Sequence, residues 1–163
     1  MLKLKHVSAF LSKDTADTAL EVLQACIPWG KFALSPNSRK VCQWKPGVSD
    51  ADIIILNIKD QLEQTENVTV HGVFLNLYQN GNDHCPYHRD QYGTDVYTVS
   101  LGATRDLLVK PDGLGKTQKI TLKSGDLYYM AESLHKDHKH SIPKRSGVLK
   151  PRISIVFFTT KLK

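Results

Sequence analysis

Six short runs rich in β-branched and aromatic residues crowd the second half of the chain, at 73–78, 96–101, 107–109, 119–122, 127–130 and 153–158. Turn chemistry separates them: Asn80-Gly81, Pro111-Asp112-Gly113, Ser124-Gly125-Asp126 and Pro143. Strands this short and closely spaced predict a sandwich or a barrel. Two amphipathic helices precede them. At 14–27, Ala16, Ala19, Leu20, Leu23, Cys26 and Ile27 recur at three- and four-residue steps, with Asp14 or Thr15 available as N-cap and Pro28 as a stop. The second helix starts at Ser49, where Ser49-x-x-Asp52 resembles a capping box, carries Ile54, Ile55, Ile58 and Leu62 on one stripe, and ends near Gln64. Between them, 35–47 reads as a loop or a short hairpin exposing Trp44. The expected class is α+β, with both helices packed on one face of a β core. With no repeat or linker, a single domain over 1–163 is expected, its helices and a short loop region in 1–70 and its core in 71–163.

Composition narrows the function classes. A chain of 163 residues, 40% hydrophobic and 23% charged, buries roughly 70% of its unfolded surface. A metal is therefore not needed merely to hold the fold, and a metal site would be functional. The longest strongly apolar run, Ile53-Ile54-Ile55-Leu56, is far too short to span a bilayer. The apolar stretch at 7–11 is interrupted by Ser8 and falls short of a signal-peptide core. Cys26, Cys42 and Cys85 form no C-x-x-C spacing and are odd in number, which predicts a reducing, intracellular compartment, cytoplasm or nucleus. The formal charge of +6 is uneven. Residues 136–152 hold Lys136, Lys139, Lys144, Arg145, Lys150 and Arg152 against the single acid Asp137, and 31–45 adds Lys31, Arg39, Lys40 and Lys45 with none. Such blocks are either solvated faces or polyanion-binding surfaces.

One constellation carries chemistry. His88-Arg89-Asp90 puts an imidazole and a carboxylate two residues apart, on one face if the segment is extended. Several strands further on, His135, His138 and His140 each offer a third ligand. Two His and one carboxylate with open positions is the facial arrangement of non-heme Fe(II) oxygenases. Arg152 opens the last strand run, where its guanidinium could clamp a carboxylate.

Over roughly 70–160 these segments resemble the AlkB-type Fe(II)/2-oxoglutarate-dependent dioxygenases. The resemblance rests on Asn76-x-Tyr78, His88-x-Asp90, Ser100-Leu101-Gly102-x-x-Arg105-Asp106, Gly125-Asp126-Leu127, His140-Ser141-Ile142-Pro143 and Pro151-Arg152-Ile153-Ser154, in the family's order. It implies a double-stranded β-helix (jelly-roll) core and oxidative demethylation of alkylated nucleic acid with Fe(II), 2-oxoglutarate and O2. His88, Asp90 and His140 would bind the metal, with His135 and His138 left aside. Asn76, Tyr78, Arg152 and Ser154 would hold 2-oxoglutarate. The partner would be nucleic acid, single-stranded or with an extruded base, met by a monomer with no membrane contact. Trp44, Tyr92, Arg39, Lys40, Lys136 and Lys139 are the candidate substrate contacts. Trp44 either stacks on that base or belongs to the core. Two positions depart from the family pattern: Phe158 stands where a second arginine is usual, and Tyr92 where an acid often lies. They keep open a hydroxylase of a protein or small molecule. A catalytically silent nucleic-acid-binding module is the remaining alternative. A zinc hydrolase would leave Arg152, Asn76 and Tyr78 without a shared task.

Overall fold

In the computed structural model, residues 3–32, 37–47, 49–90 and 93–163 are described. The elements run β1 (Leu4–Val7), α1 (Lys13–Cys26), β2 (Gly30–Lys31), β3 (Lys40–Gln43), α2 (Ala51–Glu66), β4 (Val68–Tyr78), β5 (Cys85–His88) and β6 (Asp95–Gly102). After them come β7 (Arg105–Pro111), β8 (Gln118–Leu122), β9 (Leu127–Met130), a 3-10 turn over Glu132–Lys136, β10 (His138–Ile142) and β11 (Arg152–Lys161). The strands form two antiparallel sheets, ordered β1-β9-β6-β11-β4-β3-β2 and β5-β10-β7-β8. From β4 onward the chain passes repeatedly between the two sheets, the path of a jelly roll.

Period-two alternation gives the large sheet two unlike faces. On its outer face Leu75, Leu77, Val99, Leu101, Ile153, Ile155 and Phe157 pack with Ala16, Ala19 and Leu23 of α1 and Ile55, Ile58 and Leu62 of α2. Small residues on α1 let that helix lie close against the strands. Its inner face, across from the small sheet, carries the site described below.

Several local expectations are corrected. The cap of α1 is Ser12, whose hydroxyl accepts the Thr15 N–H at 3.2 Å; Asp14 lies inside the first turn. No side-chain cap closes α2. Asp52 instead accepts the Trp44 indole N–H at 2.9 Å and the Gly47 N–H, tying the preceding loop down. That helix runs on to Glu66 and ends at Asn67 in the left-handed conformation, φ 54°. The stretch read as loop or hairpin holds β3, which pairs with β2 on one side and with β4 on the other. Trp44 is half-buried and packs against the helix-side core. With β2 and β3, β1, β5 and β10 are strands beyond the six sequence runs. The Asn80-Gly81 turn does form, and a Cβ on Gly81 would sit 1.9 Å from the Arg145 carbonyl oxygen, so only glycine fits there.

Candidate active site

β5 and β10 pair so that His88 and His140 are direct cross-strand partners. Their rings lie 4.2 Å apart, and Asp90, just past β5, reaches both. Oδ1 of Asp90 is 3.4 Å from His88 Nε2 and Oδ2 is 3.6 Å from His140 Nε2. One ligand atom from each of the three lies within 4.8 Å of the others, the reach of one metal ion. The Nδ1 of His88 is 2.8 Å from the Pro86 carbonyl; as donor there it would fix the tautomer that leaves Nε2 open to a metal. Arg89, between His88 and Asp90, donates to the carbonyls of His135, Lys136 and His138 and to Asp112 at 2.6 Å. It thereby holds the Asp90 segment against the start of β10.

The protonation pattern fits a cation site. Burial lowers the pKa of His88, but hydrogen bonds to Asp90 and Cys85 outweigh it and raise it to about 10. Burial drives His140 down to about 4. For Asp90 burial acts upward, while its bond to His88 and the nearby His140 charge hold the carboxyl below its ordinary value. In the ligand-free site His88 thus carries a proton and His140 does not, beside the ionised Asp90. His135 is buried behind His140, 5.6 Å ring to ring, and His138 turns to Asp137 at 2.6 Å, so neither joins the trio.

A cavity of about 470 Å³ opens between the sheets against this trio. Across β6, β11 and β4 its floor is built in rows: Arg152 opposite Tyr78, then Ser154 between Asn76 and Ser100, then Val156 between Phe74 and Thr98, then Phe158 beside Val96. The first rows are polar and the last apolar. Arg152 is 1% exposed. Its Nη2 donates to Ser100 Oγ at 2.8 Å, whereas Nε and Nη1 have no partner among the described residues. A buried guanidinium with two open donors is costly unless an anion completes it. Tyr78 is buried against it, ring centroid 5.2 Å from Cζ, and burial raises its hydroxyl pKa. Asn76 is held at both ends, accepting from Arg39 Nε at 2.7 Å and donating to Ser154 Oγ at 3.0 Å.

The other sequence candidates are placed differently. Arg39 reaches the cavity, but Lys40, one residue on in β3, is not among the lining residues. Lys136 is exposed, and Lys139 is exposed opposite Lys110, on the face of the small sheet turned away from His140. Trp44 lies outside the cavity lining, and Tyr92 lies outside the described residues. Sequence reasoning passed over Phe32, Cys85 and Arg89, all of which line the cavity. Phe32, 56% exposed at the rim beside a basic block, is the one a search for exposed aromatics could have found. Arg105 is structural: buried, it donates to the carbonyls of Asn80, Asp83 and Pro143.

A His-Asp-His set beside a buried, half-open arginine defines a class: residues 36–157 match the family model of the 2OG-Fe(II) oxygenase superfamily, and the chain belongs to that superfamily. Within it, several curated relatives are of AlkB type. Human DNA oxidative demethylase ALKBH2 is 30% identical over 117 residues, covering 64% of this chain and 45% of that protein. Bovine alpha-ketoglutarate-dependent dioxygenase alkB homolog 3 is 26% identical over 145 residues, covering 80% and 47%. The chain thus spans about half the length of these relatives. A prolyl-4-hydroxylase of Pseudomonas putida shares the fold, with TM-score 0.64, 12% identity and coverage of 98% of this chain and 93% of that one. The superfamily's two groups fit the residues present. The N2O donor set suits Fe(II), and the open edge of Arg152 suits a carboxylate of 2-oxoglutarate. No helix among the described residues is long and apolar enough to cross a membrane.

Proposed function

We propose that this chain is an intracellular, monomeric Fe(II)/2-oxoglutarate-dependent oxygenase that removes alkyl groups from bases in nucleic acid, taken as single strands or with the base extruded. The observation that carries the reading is one cavity uniting the His88-Asp90-His140 trio with the half-open Arg152. The DNA oxidative demethylase activity of the relative ALKBH2 supports the nucleic-acid substrate. When bound, the metal and cosubstrate supply the oxidation: one oxygen atom of O2 enters the alkyl C–H bond and the other ends in succinate as 2-oxoglutarate loses CO2. The resulting N-hydroxymethyl group gives up its hydroxyl proton, the C–N bond breaks, and formaldehyde and the protonated base nitrogen result.

The protein's part is binding and orientation. His88 Nε2, Asp90 and His140 hold the cation on the small-sheet side. Arg152, anchored by Ser100, receives the distal carboxylate through Nε and Nη1. Asn76, clamped by Arg39 and Ser154, sets the wall between these two points. Phe74, Val156 and Phe158 keep water from the reacting end. Phe32 at the rim, one face covered by the Arg39 guanidinium, offers its other face to an extruded base. The test is iron-loaded protein with 2-oxoglutarate and O2, assayed for formaldehyde and succinate in equal amounts with methylated oligonucleotides. Succinate without formaldehyde points to a hydroxylated protein or small molecule instead.

A further inference from the structure

Among the described residues, the cavity is lined by three guanidiniums, Arg39, Arg89 and Arg152, and by a single carboxylate, Asp90. Residues outside the described set contain no Asp or Glu. Asp90 belongs to the metal trio, and Arg89 is paired with Asp112 at 2.6 Å. Counting formal charges, a divalent cation, Asp90, the dianionic cosubstrate and Arg152 sum to zero. Arg39 is then left over. It is 7% exposed, its Nε is spent on the neutral amide of Asn76, and no carboxylate among the described residues pairs with it.

Aromatic faces can stabilise a cation, but two of those here are already taken by the protein's own. The Arg39 guanidinium lies 4.2 Å over the Phe32 ring, and Tyr78 lies within 5.3 Å of both Arg105 and Arg152. The far end of the cavity, Phe74, Val96, Met130, Val156 and Phe158, carries no charge. Gly72 opposite Phe158 makes room there, because a Cβ would come within 3.2 Å of the Phe158 ring.

We propose that the site selects alkylated bases without positive charge, and that Arg39 is the specificity residue that turns cationic ones away. This rests on the demethylase reading and narrows it. Alkylation at N1 of adenine or N3 of cytosine leaves a base that is predominantly cationic at neutral pH, whereas N6-methyladenine and N3-methylthymine are neutral. A cationic base would enter beside the unneutralised Arg39 with no carboxylate to meet it, and inside a poorly solvated cavity such repulsion is weakly screened. A neutral ring loses nothing there and gains the apolar floor.

The test uses four single-stranded oligonucleotides identical but for one base: N1-methyladenine, N3-methylcytosine, N6-methyladenine or N3-methylthymine. Two readouts are taken. One is the product mass after turnover by iron-loaded protein with 2-oxoglutarate. The other is anaerobic binding by fluorescence anisotropy with Mn(II) in place of iron. The expected result is at least a tenfold preference for the neutral pair in both readouts. Arg39→Gln should bring the ratio toward one, and Arg39→Lys should restore it. Equal or better handling of the cationic pair by the unmodified protein overturns the proposal and leaves the demethylase reading standing. Demethylation of none of the four, with 2-oxoglutarate still consumed on another substrate, overturns that reading and the proposal with it.

Discussion

Strands β4, β6, β9 and β11 build two faces from one backbone, and the faces obey opposite rules. Toward the helices, Leu75, Val99, Ile153, Ile155 and Phe157 are each fully buried in a continuous aliphatic layer. One residue along, toward the small sheet, stand Asn76, Ser100, Arg152 and Ser154, also buried but polar. Arg152 and His135 keep buried nitrogens without partners among the described residues. The outer face is closed and the inner face incomplete. The energy gained by burying the first layer allows the second to hold groups that cost stability until a ligand reaches them.

The comparison breaks most sharply if the trio proves structural. His140→Ala should abolish 2-oxoglutarate turnover, a loss of at least a thousandfold, while circular dichroism and the melting temperature stay close to the parent. Unfolding of that variant would make His140 part of the core. The mirror experiment is Ile155→Ala, which leaves a void in the aliphatic layer and should cost about 2–5 kcal/mol, read by urea unfolding, with 2-oxoglutarate affinity per folded molecule unchanged. An activity defect beyond the folded fraction would show that the two faces are not separable.

Arg152→Met should sharpen the contrast. It removes a buried charge with two unmet donors, so the ligand-free protein is expected to gain about 1 kcal/mol, as replacing buried ions with apolar groups often does. The same variant should lose the rise in melting temperature that 2-oxoglutarate gives the parent by binding the native state. Arg152→Lys, unable to present two parallel donors, should keep part of that rise and raise the KM for 2-oxoglutarate at least tenfold. An unchanged KM would place the carboxylate elsewhere.

How much of this was legible in the sequence follows the same division. The outer face was readable because each strand there alternates apolar residues with a period of two, and because the helices repeat at 3.6. The inner face was readable only through motif order, since a His or Arg on a strand carries no sign of what it meets. β5 and β10 escaped because Cys85-Pro86 and His138-Lys139-His140 lack β-branched residues. β10 becomes a strand by pairing with β7, and β5 by pairing with β10 around His88 and His140, a tertiary effect. The clamp from Arg39 to Asn76 joins residues 37 positions apart, and no local pattern announces it. The basic block at 136–152 divides by alternation: His140 faces inward and Lys139 outward, so charge counted along the chain does not locate charge at the cavity.

The smallest predicted effect concerns pH and lies on the helix side. Glu63, in the last turns of α2, accepts the Val70 backbone N–H at 2.9 Å and pairs with Lys59 at 3.1 Å. Partial burial pushes its pKa upward, but these two partners outweigh it and hold the carboxyl below its ordinary value. Because the folded state binds this proton less readily than the unfolded chain, its contribution to stability is fully present above the unfolded pKa of about 4.3. It is lost as pH falls through the lower folded value. With the pair partly exposed, the contribution is a few tenths of a kcal/mol. Glu63→Gln should therefore lower stability slightly at pH 7 and flatten the decline of stability below pH 5, measured by urea unfolding across pH 3–7. Formaldehyde release by the folded variant at neutral pH should match the parent, because Glu63 lies on the far side of the large sheet from the cavity. A change in that rate would mean that the edge where α2 meets β4 communicates with the site, and the two faces would then have to be treated as one.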